Sequence, residues 1–218
     1  MKRTLILAAA LLALPLAAAG QSVKEINKPV LENIDQVTPF HEGMAAVRQG
    51  NRWGFINEQG VLAIPFRNDL VWNESPNPGA QGVTSIEYPR FRDGRCPVKV
   101  VKEDGIPFYG YIDKTGKMAI EAEYLNLTEF NGGMAVGIYF RKTFRGKNNF
   151  QLNIYDYSFT EVILNPRGDM IWPLSERTNI MMDARRYERP ELQTRILQPN
   201  LVAVKTGSRQ WEIRKLDL

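Results

Sequence analysis

Four eight-residue stretches of this chain follow one order of residue types. They are FHEGMAAV (Phe40–Val47), FRDGRCPV (Phe91–Val98), FNGGMAVG (Phe130–Gly137) and LQPNLVAV (Leu197–Val204). An aromatic or apolar residue opens each stretch, and small and apolar residues close it. The fourth position reads Gly43, Gly94, Gly133 and Asn200. Glycine enters left-handed backbone at little cost, and asparagine tolerates it better than most residues. The exchange predicts a turn with positive φ at all four places. A chain built on such a recurring corner is a repeat protein, and its ligands must fit that scaffold.

Each corner leads into residues with partial alternation, MAAVR or CPVKVV, as in a half-buried strand. A polar turn follows, and then RWGFIN, FYGYID or RQWEIR. Gly54 and Gly110 sit inside those second strands, where a glycine weakens the ladder unless something uses the gap. We read them as packing glycines, each covered by a ring from a paired strand. Asn57–Gly60 and Asp113–Gly116 then suit a tight turn, with Asn or Asp first and Gly fourth. The third strands are VLAIPF and KMAIEA, and NPRGDMIWP (165–173) matches the same turn and strand. Pro65 and Pro173 should end a strand or lie on an edge.

The unit is therefore three short antiparallel strands. The fold expected is all-β, with repeated hairpins in a curved stacked sheet or an open, barrel-like solenoid and at most one short helix. The units span about 31–75, 82–124, 125–174 and 190–218. The third is enlarged into two long strands around RGKNN. The helix candidate is Ser175–Glu188, capped by Ser175 and stopped by Pro190.

These residues resemble the WG-repeat family, also written KWG. The first unit carries Phe40, Gly43, Met44, Ala45 and Val47, then Trp53-Gly54-Phe55-Ile56, Gly60 and Ile64-Pro65. The second carries Tyr109-Gly110-Tyr111-Ile112-Asp113, Gly116 and Ile120. The third lacks the Trp-Gly step, and the fourth has Trp211 followed by Glu212. The resemblance implies bacterial surface or envelope proteins made of repeated β-hairpins, and it implies no catalytic residues.

Residues 1–20 read as a signal peptide. Lys2 and Arg3 precede an apolar run from Leu5 to Leu16, which is too short to span a bilayer, and small residues follow. Cleavage after Ala19 or Gly20 satisfies the small-residue rule, and Gly20 is preferred. The remaining 21–218 are expected to be one exported domain, periplasmic or extracellular, without a transmembrane span. Loss of Lys2 and Arg3 lowers the net charge from +4 to +2, which is no excess suited to nucleic acid. The lone cysteine, Cys96, can form no internal disulfide and matches small residues in sister units, so it is expected in the core.

The residues point to no catalytic centre, metal or cofactor. His41 is the only histidine, and it is expected to face solvent beside a turn. The acid pairs Glu121 with Glu123 and Glu42 with Asp93 would serve a hydrolase only if they converged in a cleft. Trp53, Trp172 and Trp211 fall on matched repeat positions and are expected in the core. Trp72 lies outside the unit in a loop of turn formers, and with Tyr88 and Phe91 it forms a candidate binding patch. The function expected is non-catalytic binding or scaffolding, with a protein or an envelope component as partner. A carbohydrate-binding module is the alternative, and a hydrolase with a hidden carboxylate pair is the remote one.

Overall fold

In the computed structural model, residues 23–102, 105–207 and 210–217 are described. The proposed signal segment lies outside them. The chain divides into two units, residues 1–32 and 33–218. In the first, one helical turn spans Val23–Ile26, and the Asn27 amide and side chain both donate to the Val23 carbonyl.

The second unit is built of antiparallel strands in three sheets. The first sheet holds β1 (Gln36–Val37), β2 (Met44–Gln49), β3 (Arg52–Asn57) and β4 (Leu62–Arg67) in sequential order. The second holds β5 (Cys96–Val101), β6 (Pro107–Ile112), β7 (Met118–Leu127), β8 (Ala135–Lys147), β9 (Asn153–Leu164) and β10 (Met170–Arg177), again neighbour to neighbour. The third holds β11 (Thr194–Gln198), β12 (Leu201–Lys205) and β13 (Trp211–Lys215). None of the three closes into a barrel. Among the described residues no helix is long and apolar enough to cross a membrane.

Three of the four corners have the expected backbone. Glu42-Gly43, Asp93-Gly94 and Gly132-Gly133 all have φ between 50° and 79°, so both central residues are left-handed. That is the two-residue hairpin turn whose twist suits the flanking strands. The His41 and Met44 amides and carbonyls close the first, and the other two repeat the pattern. Asn200 departs from the expectation, since its φ is not positive. Its predecessor is Pro199, whose ring fixes φ near −65° and excludes this turn type.

The second turn recurs more often than expected. Asn57, Asp113 and Asn165 each accept two backbone N–H bonds on the side-chain oxygen, and the left-handed residue is Gly60, Gly116 or Gly168. Asn148 builds the same turn at the tip of the β8–β9 hairpin, with Gln151 in the glycine place at φ 61°.

Gly54 and Gly110 are packing glycines whose closest cover is backbone; at Gly54 the Phe66 ring of β4 also lies over the gap, 3.4 Å from where a Cβ would sit, while the nearest atoms at Gly110 are all backbone. A Cβ on Gly54 would lie 2.9 Å from the Ile64 carbonyl oxygen, and one on Gly110 would lie 2.8 Å from the Ala122 nitrogen. At both places the third strand slips register and bulges across the glycine. A ring is the closest cover at Gly137, beneath Tyr124. Pro65 and Pro173 lie in the edge strands β4 and β10, beside register shifts.

The helix expected over Ser175–Glu188 is not formed. Ser175 and Arg177 belong to β10 and pair with Glu161 and Phe159. Beyond Arg177 the chain runs as an irregular strap, with one turn closed from Arg186 to Asp183. Ile180, Met182 and Tyr187 of the strap pack on the apolar face of β6–β9 around Ile106, Leu125 and Ile138. Covering that face takes an extended path, and the burial outweighs local helix propensity.

Candidate functional site

The joints between units account for several of the residues that looked chemical. The Glu42 carboxylate accepts the Gly94 amide at 2.9 Å, and Asp93 accepts the Gly133 amide at 2.7 Å. Each turn acid thus caps the next unit's turn. Burial raises the Glu42 carboxyl, but the Gly94 amide and the Lys114 ammonium outweigh it and hold it below its ordinary value. The rings repeat in the same way. Phe55 meets Phe91 at 4.8 Å and 54°, and Tyr111 meets Phe130 at 4.7 Å and 54°. Arg90 and Glu129, which precede the two opening rings, form a bidentate pair. Phe40 opens the first unit, has no such ring neighbour among the described residues, and is 50% exposed.

These contacts relocate several expected site residues. Phe91 is only 1% exposed and belongs to the core, so it can be no part of a surface patch. Trp72 is half-buried, edge-on to Trp53 at 5.7 Å with the Arg48 guanidinium over its ring. Tyr88 is half-buried beside His41, whose Nε2 lies 3.3 Å from the Tyr88 hydroxyl. His41 is itself half-buried. Trp72 and Tyr88 pack against the core cluster that holds Phe91. Cys96 is fully buried, and burial pushes its thiol far up. Glu121 and Glu123 lie on the exposed face of β7. Trp53 and Tyr109 are core residues and Trp172 is half-buried, but Trp211 is 40% exposed and is not in the core.

The exposed aromatic face lies elsewhere. In the β8–β9 ladder, Phe140 pairs with Phe159, Lys142 with Tyr157, and Phe144 with Tyr155. Side chains two apart on a strand share a face, so these six form one ribbon. Phe140 contacts Phe108, Tyr157 and Phe159 at 5.4–5.7 Å, and Phe144 contacts Tyr155 at 5.6 Å. The Lys142 ammonium sits 4.3 Å from the Tyr155 ring centre and 5.9 Å from that of Tyr157. Phe159 is buried at one end of the ribbon, while Tyr157 and Phe144 are 46% and 54% exposed. A cleft of about 650 Å³ opens along it, with Lys102, Arg141 and Lys142 against Glu123. Sequence reasoning found both long strands but missed this face. Its signal was the alternation of Phe140, Lys142 and Phe144 opposite Tyr155, Tyr157 and Phe159, in two strands that outrun their neighbours.

Hairpins joined corner to corner by the same ring and carboxylate contacts define a β-repeat protein. The family model for the WG containing repeat matches residues 25–53, 53–73 and 109–136, and there the chain is similar to that family. No curated protein and no solved structure matches the chain.

Proposed function

We propose that the chain is an exported, non-catalytic binding protein of the WG-repeat type, whose long hairpin docks a protein partner. The observation that carries this reading is the ribbon of rings and Lys142 on one face of β8–β9. Contiguous exposed aromatics are uncommon on a protein that works alone. The segment that fits carries acidic residues among apolar ones, because Lys102 and Lys142 line the cleft against a single acid, Glu123. The ring geometry favours protein over polysaccharide. Phe140 and Tyr157 stack at 25°, but Phe140 is half-buried; the Phe144 and Tyr155 planes meet at 60°, those of Phe108 and Phe140 at 56°, and the Lys142 ammonium lies over Tyr155. A sugar platform needs open, near-coplanar faces. Export rests on the Lys2-Arg3 and Leu5–Leu16 pattern, and the non-catalytic reading on Glu42 and Asp93 each being committed to a neighbouring turn.

A photo-crosslinking residue at position 144, in the full chain exposed to envelope extract, tests the reading. A discrete protein adduct is expected from position 144, absent when the crosslinker is at exposed Val61 and lost on adding Tyr157→Ser. Equal adducts from 144 and 61, or none from 144, would overturn it.

A further inference from the structure

A second cavity, of about 520 Å³, lies between the loop following β4 and the third sheet. We infer that it is a binding site for a small carboxylated sugar, separate from the hairpin face. One wall is the sheet. Lys205 pairs directly with Trp211, and Arg195 lies on the same face through Ala203. The Arg195 guanidinium stands 4.9 Å from the Trp211 ring centre. The opposite wall is the stretch 73–84, a long loop whose only regular element is the short 3-10 turn Gly82–Ser85. Loops of this length inside a compact domain are usually functional.

The loop is held rigidly. The Asn73 side chain donates to the Val83 and Ile86 carbonyls, at 2.7 and 2.8 Å. Asn126, from β7, accepts the Val83 amide and donates to the Pro190 carbonyl. Gly82, at φ 80°, lets the Asn126 carboxamide approach where any side chain would collide. The floor is thus fixed before any ligand arrives, which lowers the cost of binding.

The charge in the cavity is unbalanced. Arg189, Arg195 and Lys205 line it against Glu191 alone, and none of the three cations forms an ion pair among the described residues. Arg189 is held over the Tyr109 ring at 5.4 Å, yet its buried Nε has no hydrogen-bond partner. A buried, unmet guanidinium N–H is costly unless an acceptor arrives. Cationic forks of this kind suit carboxylate bidentately. Gln81 and Thr84 also line the cavity, and their side chains make no hydrogen bond among the described residues, which leaves them for ligand hydroxyls. Trp211, which is 40% exposed, adds an aromatic surface to the lining. Anionic groups, several hydroxyls and a volume within the small-ligand range together describe a sugar acid.

Calorimetry on the full chain with glucuronate, glucose and inorganic phosphate as probes tests the site. Saturable glucuronate binding is expected, weakened by added salt, with glucose at least tenfold weaker. Arg195→Gln and Lys205→Gln, both near the surface, should each weaken glucuronate about tenfold without changing the thermal midpoint. Tyr157→Ser, on the other face, should leave it unchanged. Phosphate binding as tight as glucuronate would overturn the sugar assignment and leave a general anion site. The absence of saturable glucuronate binding at millimolar concentration would overturn the site itself, whatever the crosslinking at position 144 shows.

Discussion

The inner joints and the distal half of the long hairpin use the same residue types to opposite ends. At the joints, Phe55, Tyr111, Phe91 and Phe130 are fully buried in repeated ring pairs. Along β8–β9, Phe144 and Tyr157 are exposed, and a lysine lies between rings instead of another unit. The difference is a matter of length. β8 and β9 run for 13 and 12 residues, while β5 and β6 run for 6 each, so the hairpin outgrows the layer that would cover it. The repeat secures the stack at its joints, and the overhang is free to meet something else.

The sharpest way to break this contrast is to remove a joint ring. Phe55→Ala empties a fully buried site between two units and should cost about 3–5 kcal/mol. Urea unfolding should show the midpoint falling steeply. If Phe55→Ala and Phe144→Ala cost the same, the division into joint and overhang is wrong. A double-mutant cycle with Phe91→Ala sharpens it, with a ring-pair coupling of about 0.5–1.5 kcal/mol expected.

What could be read beforehand follows the same division. Three corners were legible because glycine at a positive-φ position is a local requirement, independent of packing. Asn200 was misleading because the residue before it decides the turn, and Pro199 allows only negative φ. The helix over Ser175–Glu188 was misread because Ile180, Met182 and Tyr187 serve a face built by β6–β9, which local spacing does not reveal. Among the rings, matched repeat positions located Trp53 correctly but left Trp172 half-buried and missed Trp211, which lies on the edge strand β13 and is 40% exposed. The candidate patch of Trp72, Tyr88 and Phe91 failed at Phe91 for the converse reason, as the preceding unit supplies Phe55 to bury it. Identity gives a ring; only the neighbouring layer decides whether it is used inside or outside.

A gentler probe of the joints is pH. The folded Glu42 carboxyl lies below its ordinary value of 4.5, despite the opposing effect of burial. Its contribution to stability is therefore complete above about 4.5 and is lost as pH falls through the lower folded value. Because the group is largely exposed, the effect should stay under about 1 kcal/mol. Glu42→Gln removes that dependence. Thermal midpoints of wild type and variant should differ at neutral pH and converge in acid. Midpoints that run parallel across the acid range would mean that the carboxylate is idle at the joint.

The smallest stability effect belongs to the overhang. Phe144→Ser changes an exposed ring at the far end of the ribbon and should shift stability by no more than about 0.5 kcal/mol. Shortening the hairpin beyond the Lys142–Tyr157 pair, with a two-residue Asn-Gly turn in place of the tip, should be nearly as mild. Both changes leave the ring and carboxylate joints intact and should abolish the partner adduct when the crosslinker is placed at position 157, which both variants keep. A fall in the urea midpoint as steep as that of Phe55→Ala would mean that the overhang helps to hold the stack, and the rings along it would then need a structural explanation.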